Sequence, residues 1–303
     1  MQPFFSIVIP TYNRIDVLDR SIKSVIKQSY SNFELLIIDN GSTDGTKLWI
    51  QKNFTDKRLK YFYQNGTGSP AGPRNSGIKL AQGKWICFLD SDDMWHKKKL
   101  EKISQAIELD DSLDIICHNE RLFYESKGTY GKIMKYGPMS INMYKDMLII
   151  GNRLSTSATS VKSSFIKTNK LLFNELKDFS MVEDYDLWLH ISRHNARFKF
   201  LKECLGFYTI SNINMISNSS LYCENLKNLL KFHTNHIQKF ESNKNKLWDL
   251  LVIRVLLLKV NYLEKTFLAK VKILLIIMLE HPIDFVRYVF LYSKIKIILF
   301  LQN

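Results

Sequence analysis

The first 120 residues alternate between short, wholly apolar runs and longer segments in which apolar residues recur every three or four positions. The short runs predict strands buried on both faces, because neither face of such a run is polar. The longer segments have helical spacing. Strands are predicted at 4–10, 33–39, 59–64, 84–90 and 113–119, and helices at 15–28, 45–53, 73–82 and 97–109. Strands separated by helices favour an α/β fold with a doubly wound, mainly parallel sheet.

Polar clusters follow three of the predicted strands. Residues 11–13 (Thr-Tyr-Asn) come after the first strand, residues 39–42 (Asp-Asn-Gly-Ser) end the second, and residues 90–93 (Asp-Ser-Asp-Asp) end the fourth. Ligands of open parallel sheets bind beyond the carboxyl ends of the strands. We therefore predict a ligand site at this edge of the sheet.

The acidic cluster puts three carboxylates within four residues, where mutual repulsion opposes folding unless a cation is present. Asp90 and Asp92 suit Mg²⁺ or Mn²⁺, which commonly takes one or two protein carboxylates and completes its shell with water and substrate phosphates. An acidic turn with a purely structural role is the alternative. Asp93 is expected to cap the helix that begins near Lys97.

Other candidate residues are single side chains at the ends of predicted elements. Asp39 is placed to accept hydrogen bonds from a ribose or a base. Arg74 follows Pro73 at a helix start and is either an anion ligand or a surface arginine. Glu183 and Asp184 precede an amphipathic helix, where they supply a carboxylate base or only complement the helix dipole.

Composition narrows the classes of partner. The 303-residue chain is 46% apolar and carries a net charge of +14, which favours anionic partners. Its four cysteines are scattered without a CxxC pair, so we expect neither a zinc site nor a disulfide framework, and a reducing compartment. The first residues lack a basic segment before their apolar run, so no signal peptide is expected and the predicted location is cytoplasmic. The triplet 97–99 (Lys-Lys-Lys) predicts a solvated helix face, with attraction of an anionic ligand as the alternative.

The last 83 residues are predicted to be helical and basic. Residues 221–303 hold thirteen Lys or Arg and six Asp or Glu, a net charge of +7 that is half of the chain's excess. Within 247–303, charges interrupt every apolar run before the roughly 18 to 20 residues that a transmembrane helix needs. Cationic amphipathic helices are typical of elements that lie on an acidic membrane surface, and ordinary packing on the catalytic domain is the alternative.

Taken together, four ordered segments resemble the family 2 glycosyltransferases, whose fold is called GT-A. The segments are residues 6–14, 24–46, 73–95 and 183–189, and the resemblance extends over roughly residues 4 to 210. It implies an inverting transfer of a sugar from a nucleotide donor, most often a UDP-sugar, to a hydroxyl of a glycan or lipid-linked glycan. It also implies a Mn²⁺ or Mg²⁺ cofactor, and surface-polysaccharide biosynthesis as the setting.

The resemblance also implies roles for particular residues. Asp184 resembles the catalytic base and Glu183 its neighbour, while Trp188 would help to shape the acceptor pocket. Asp92 would be the direct metal ligand, with Asp90 closer to the ribose but also in the metal pair. The residues that the resemblance assigns to the nucleotide sugar are Pro10, Thr11, Tyr12, Asp39, Arg74, Asp90 and Ser91.

The predicted organisation is a catalytic domain at 1–220 followed by a basic helical region at 221–303. Within the catalytic domain, 1–119 would bind the nucleotide sugar and 120–220 the acceptor. One departure from the family pattern follows Tyr208, where many members carry Arg and His before a Ser. This chain has neither, so no histidine is available there as a third metal ligand or phosphate contact.

Three other functions fit the sequence less well. A nucleotidyltransferase would require a Gly-rich, basic signature near the N-terminus, which the chain lacks. A non-enzymatic protein that binds nucleic acid would concentrate its basic residues on one face with exposed aromatics. Here half of the excess lies in a Leu- and Ile-rich tail, which favours a membrane and no nucleic acid. An inactive family member is disfavoured by the presence of Asp90, Asp92 and Asp184.

Overall fold

The computed structural model of the chain describes residues 2–137, 142–211, 219–237 and 282–301, together with the positions 251, 254, 256, 257, 271, 274, 275 and 277–279. Of the predicted basic region at 247–303, the remaining positions lie outside the described residues. The strands are β1 Phe5–Thr11, β2 Phe33–Asp39, β3 Leu59–Tyr63, β4 Trp85–Phe88, β5 Met94–Trp95, β6 Ile115–Tyr124, β7 Thr129–Met134, β8 Thr159–Lys162 and β9 Phe198–Ile210. The helices are α1 Ile15–Ile26, α2 Thr46–Asn53, α3 Ala71–Leu80, α4 Lys99–Leu109, α5 Met143–Ile150, α6 Ser163–Thr168, α7 Glu183–Arg193, α8 Ser219–Ile237 and α9 Pro282–Leu301.

The strands form one sheet in the order β3-β2-β1-β4-β8-β6-β9-β5, with β7 paired to β6. The first four strands in this order are parallel, as the alternation of strands and helices predicted. β8 is antiparallel to both β4 and β6, while β6 and β9 run parallel to each other. The predicted α/β class with a mainly parallel sheet is therefore confirmed, with antiparallel strands in its second half.

The core explains why β1 and β2 are apolar throughout. Both strands are buried at every position, since helices cover both faces of this part of the sheet. α1 contributes a stripe of buried residues at helical spacing to the same core: Leu18, Ile22 and Val25. α3 lies so close to β1 that a Cβ atom at Gly77 would fall 2.3 Å from the Val8 side chain. Only glycine permits that approach.

The chain divides into two compact units. The sheet unit comprises Met1–Met139, Arg153–Phe173 and His190–Asn212, and the helical unit comprises Ser140–Asn152, Asn174–Leu189 and Ile213–Asn303. The predicted domain boundary at residue 220 stays a prediction. Within the part of the chain that the structure describes, no helix combines the length and the hydrophobicity that crossing a bilayer requires.

The helical unit is organised around buried polar side chains. The Tyr185 hydroxyl donates to the Met147 carbonyl, and the buried Arg254 guanidinium lies 3.1 Å from the same hydroxyl. On α9, Tyr288 is buried and donates to the Ile149 carbonyl at 3.2 Å. These bonds give side-chain partners to carbonyls in the last turn of α5, where intrahelical partners run out, and the Met147 carbonyl also accepts the Gly151 amide at 2.9 Å.

Candidate functional site

The carboxyl ends of β1, β2 and β4 bring the predicted polar clusters together in the sheet unit. β1 and β2 pair in register, so that Thr11 lies opposite Asp39. β4 pairs with the other side of β1, and the Leu89 amide still donates to the Val8 carbonyl at 3.0 Å. Asp90 follows directly. The geometry thus places all three clusters on adjacent strands at one edge.

Asp39 is held in place by two hydrogen bonds. Its Oδ1 accepts the Ser42 amide at 2.8 Å, and its Oδ2 accepts the Tyr61 hydroxyl at 2.6 Å. Burial, and then the Asp39 charge, raise the pKa of Tyr61, so the phenol stays a donor. Tyr61 was missed in the sequence because it is simply one residue of an aromatic strand, β3.

The turn after β1 is tied to the turn after β2. The Asn13 side chain accepts the Thr43 amide at 2.8 Å, and the Asn13 amide donates to the Ser42 hydroxyl at 2.9 Å. Asn13 has a φ of 48°, a conformation that asparagine tolerates better than most residues. Tyr12 is exposed, whereas the buried Thr11 hydroxyl has no hydrogen-bond partner among the described residues. An unsatisfied buried hydroxyl at this edge is suited to a ligand.

Arg74 makes an ion pair with Asp90. Its Nη2 lies 2.6 Å from Asp90 Oδ1, its guanidinium lies 5.2 Å from the centre of the Phe173 ring, and its side chain is almost fully buried. α3 begins at Ala71, two residues earlier than the position of Pro73 predicted. Arg74 consequently lies in the first turn of the helix, where the helix dipole also favours an anion.

The negative charge of Asp92 is less well compensated by a nearby arginine than that of Asp90. Its nearest cation is Arg14, with 3.9 Å between Arg14 Nη1 and Asp92 Oδ2. Burial, and then the charge of Asp90, raise the pKa of Asp92. Two carboxylates that repel each other in one loop are the donor set that Mg²⁺ or Mn²⁺ takes, so the residues present fit such an ion. Arg20 supports the loop by donating to the Asp92 carbonyl at 2.9 Å.

Asp93 does not cap α4, and the prediction that it would is wrong. α4 begins at Lys99, and the Asp93 carboxylate turns inward, where it accepts the Ser157 hydroxyl at 2.6 Å and the Thr209 amide at 2.8 Å. Burial, and then the charge of Asp92, hold the pKa of Asp93 well above its usual range. No local sequence pattern indicates these contacts, because both partners are distant in the chain.

The lysine triplet is not a uniformly solvated face. Lys97 and Lys98 are exposed as predicted, but Lys99 is fully buried. Its amine donates to the Ser157 carbonyl at 2.8 Å and lies 3.4 Å from the centre of the Trp95 ring. Burial lowers the pKa of Lys99 to about 7. The prediction failed for this residue because helical periodicity turns one lysine in three toward the core.

The acidic segment of α7 lies in the helical unit. Glu183 and Asp186 are buried there, and Asp186 Oδ1 lies 2.8 Å from His233 Nε2. Asp184 is the acidic residue of this turn that keeps part of its surface exposed. Its Oδ1 accepts the Tyr185 amide at 2.6 Å and its Oδ2 accepts the Asn152 amide group at 3.3 Å.

The remaining predicted residues are placed as follows. Pro10 is buried in β1, and the Ser91 carbonyl accepts the Ser21 hydroxyl at 2.7 Å. Trp188 is fully buried within the helical unit, so its proposed contact with an acceptor stays a prediction. Residues 212–218, where the family's histidine is missing, lie outside the described residues.

The family model and the two relatives described next are all glycosyltransferases. The family model described as "Glycosyl transferase family 2" matches residues 6–167. An uncharacterized glycosyltransferase of Rickettsia conorii is 33% identical over 78% of this chain, which spans only 38% of that relative's length. The Escherichia coli protein WfgD, named as a UDP-Glc:alpha-D-GlcNAc-diphosphoundecaprenol beta-1,3-glucosyltransferase, is 32% identical over 63% of this chain and 70% of its own length.

Solved structures agree on the fold. S. aureus TarS in complex with UDP-GlcNAc aligns with a TM-score of 0.58 at 20% identity, over 85% of this chain and 81% of that one. The mannosyltransferase PcManGT from Pyrobaculum calidifontis, in complex with GDP-Man and Mn²⁺, aligns with a TM-score of 0.56 at 12% identity, over 97% and 84%. These likenesses confirm the predicted GT-A fold. With the match of the family model over more than half of its length, the chain belongs to glycosyl transferase family 2.

Proposed function

We propose that the protein is an inverting, metal-dependent glycosyltransferase that uses a UDP-sugar. The observation that carries this proposal is the Asp90 and Asp92 pair. It lies at the same edge of the parallel strands as Asp39, with β1 between their strands, and each of its carboxylates is near an arginine. A nucleoside diphosphate needs a hydrogen-bonding wall for its base and ribose and cations for its phosphates, and this edge of the sheet offers both.

The nucleoside would be bound by the ends of β1 and β2. Asp39 is already oriented by Ser42 and Tyr61, so it can accept hydrogen bonds from uracil or ribose without first losing side-chain freedom. Thr11 offers a buried hydroxyl that lacks a partner among the described residues, and Tyr12 an exposed ring. Pro10 and Ser91 complete the set of residues that the proposal assigns to this nucleotide.

The diphosphate would lie against Asp92, Asp90 and Arg74. A bound Mn²⁺ or Mg²⁺ would neutralise charge on the departing diphosphate as a Lewis acid. Arg74 holds Asp90 Oδ1 at 2.6 Å and keeps that carboxylate in one orientation. Its guanidinium also places positive charge at the first turn of α3, which favours binding of a phosphate there.

On the acceptor side, we propose that Asp184 removes the proton from the attacking hydroxyl. Asp184 keeps part of its surface exposed while the neighbouring Glu183 and Asp186 are buried, which suits it to reach a substrate. The Asn152 amide and the Tyr185 backbone orient its two oxygens. One displacement with a general base inverts the anomeric carbon and needs no covalent intermediate.

The test is binding of UDP-, TDP- and GDP-sugars with Mn²⁺, with Mg²⁺ and with EDTA. We expect a UDP-sugar to bind at least about ten-fold more tightly with Mn²⁺ than with EDTA, and Asp92→Asn to remove this metal dependence. The exposed Asp111→Asn variant is the matched control and should behave as wild type. No binding of any nucleotide sugar would refute the proposal. Asp184→Asn should leave donor binding unchanged and lower transfer by about 10²- to 10⁴-fold.

We further propose that the acceptor is lipid-linked and that α9 rests on an anionic membrane surface. Four apolar side chains spaced for one face of α9 are between 59% and 69% exposed: Ile283, Val286, Phe290 and Ile297. On another face, Phe285, Tyr288 and Tyr292 pack within the helical unit. This exposed apolar face, together with the net charge of +7 in 221–303, matches an anionic lipid surface better than it matches water. The protein would then act at the inner face of the cytoplasmic membrane.

Sedimentation with lipid vesicles tests the membrane proposal. We expect binding to vesicles that contain phosphatidylglycerol and little binding to neutral phosphatidylcholine vesicles. The double change Ile283→Ser and Phe290→Ser should abolish binding to the anionic vesicles, since each loses about 1.5–3 kcal/mol of burial energy. Leu109→Ser, which changes an even more exposed apolar residue in α4, is the control. Equal binding of the double variant and wild type would refute a role for α9.

A further inference from the structure

A lysine is fully buried directly behind the loop that carries the acidic cluster. The Lys99 amine has no exposed surface and donates to the Ser157 carbonyl at 2.8 Å. The Trp95 indole donates to the same carbonyl at 2.8 Å, so this oxygen is held by two donors. Burying an amine in this way costs free energy unless its interactions repay it.

Ser157 also makes hydrogen bonds to the acidic loop, residues 90–93. Its hydroxyl donates to Asp93 Oδ2 at 2.6 Å and accepts the Asp90 amide at 3.1 Å. A hydroxyl has a single proton to donate, so the bond to Asp93 fully uses its donor role while its oxygen accepts the Asp90 amide. Ser157 therefore determines where the backbone of Asp90 and the side chain of Asp93 lie relative to β4.

Hydrogen bonds from other segments also hold the acidic loop. Asp93 Oδ1 accepts the Thr209 amide at 2.8 Å, and the Asp93 amide donates to the Asp90 carbonyl at 3.1 Å. Ser21 of α1 has its hydroxyl within 2.7 Å of the carbonyls of residues 91 and 93. With residues 90 and 93 fixed and the Asp92 carbonyl accepting Arg20 Nη2 at 2.9 Å, the backbone from which the Asp92 carboxylate projects is held in place.

We propose that Lys99 is a positioning residue for the cation and diphosphate site. Acting through Ser157, it holds the Asp90 and Asp92 carboxylates in the arrangement that a divalent ion requires before the ion arrives. While the amine is protonated, its positive charge also offsets part of the repulsion in a loop of three carboxylates. An apolar side chain would fill the same space without the cost of burying an amine, so packing alone does not account for a lysine here. This inference rests on the function proposed above.

The test measures Mn²⁺ affinity directly, in the presence of saturating UDP, for wild type and four variants. Lys99→Met removes the amine and keeps the length of the chain, and Lys98→Met is the matched control on the exposed neighbour. Ser157→Ala removes the hydroxyl, and the fourth variant combines it with Lys99→Met. We expect the Mn²⁺ Kd to rise about ten-fold in Lys99→Met and in Ser157→Ala, on the scale of one lost charge-assisted hydrogen bond, and to stay unchanged in Lys98→Met.

The combined variant separates positioning from general loss of stability. If Lys99 acts through Ser157, the second change removes nothing that the first has not already removed, and the Mn²⁺ Kd of the combined variant equals that of the weaker-binding single variant. If the two residues act independently, the two increases in Kd multiply to about a hundred-fold. Unchanged Mn²⁺ affinity in Lys99→Met, or multiplied effects, would overturn the inference while leaving the proposed function intact. Failure of wild type to bind Mn²⁺ with UDP would overturn both. Should Lys99→Met not fold, Trp95→Phe removes the other donor to the same carbonyl and is expected to weaken Mn²⁺ binding in the same direction.

Discussion

The buried amine of Lys99 makes the stability of the sheet unit depend on pH in a way that can be calculated. Burial lowers the pKa of Lys99 from 10.5 to about 7. Cys87, Glu120, Cys117 and Asp93 act on the amine in the opposite direction, through their charge. In the unfolded chain the amine keeps its ordinary pKa, so between pH 7 and about 10 the unfolded state binds one proton more than the folded state.

The sign follows from that difference in bound protons. Where the unfolded state binds more protons, the free energy of unfolding increases with pH, by about 1.4 kcal/mol per pH unit for one full proton. Lys99 therefore penalises folding most below pH 7, and the penalty declines as the pH rises. Between pH 7 and 9 the free energy of unfolding should increase by about 2.3 kcal/mol in wild type relative to Lys99→Met, because the folded amine is still half protonated at pH 7.

Urea denaturation of wild type, Lys99→Met and Lys98→Met at pH 7, 8 and 9 measures this difference. Comparing variants at each pH removes the contribution of the other titrating groups to first approximation. Lys98 is exposed, so Lys98→Met should parallel wild type across the range. If the curves for Lys99→Met and wild type are parallel, or if wild type loses stability relative to the variant as the pH rises, the amine is not buried as described.

Three further changes test other parts of the structure. Tyr61→Phe removes a 2.6 Å hydrogen bond to Asp39, and should weaken UDP binding about three- to ten-fold in a titration while Tyr63→Phe, on the exposed neighbour, has no effect. Gly77→Ala should lower the free energy of unfolding by about 1–3 kcal/mol, measured by urea denaturation, despite the better helix propensity of alanine, because its methyl group would overlap Val8. Met181→Gly should raise stability by about 1 kcal/mol in the same assay, since Met181 has a φ of 68° that costs little only in glycine; a loss of stability would show that the Met181 side chain contributes more than its backbone strain costs.

The order of the elements in the first 120 residues was determined by the sequence alone. Every predicted strand and helix there occurs, with ends displaced by a few residues, because apolar runs and helical spacing are local patterns that the core then selects. α3 shows the limit of this approach. Pro73 indicated a start that the structure places at Ala71, since proline is tolerated anywhere in the first turn.

The polar edge of the sheet could also be predicted, because strands of a parallel sheet end on the same side. What the sequence could not supply is the partner of each side chain there. Arg74 and Asp90 are sixteen residues apart and Tyr61 and Asp39 are twenty-two apart. These pairs arise from strand order and register, which depend on pairing between distant segments and leave no periodic trace in the chain.

Asp93 and Lys99 mark the point where local patterns mislead. An aspartate before a helix usually caps it and a run of lysines usually faces water. The first expectation failed for Asp93 and the second for Lys99, while Lys97 and Lys98 are exposed as predicted. Each side chain instead turns toward Ser157, a residue from a segment without any recognisable motif. The sequence by itself determined the fold class, the family and the candidate acidic residues. Tertiary structure alone decided which polar groups are buried together, because that depends on packing between segments 58 to 116 residues apart.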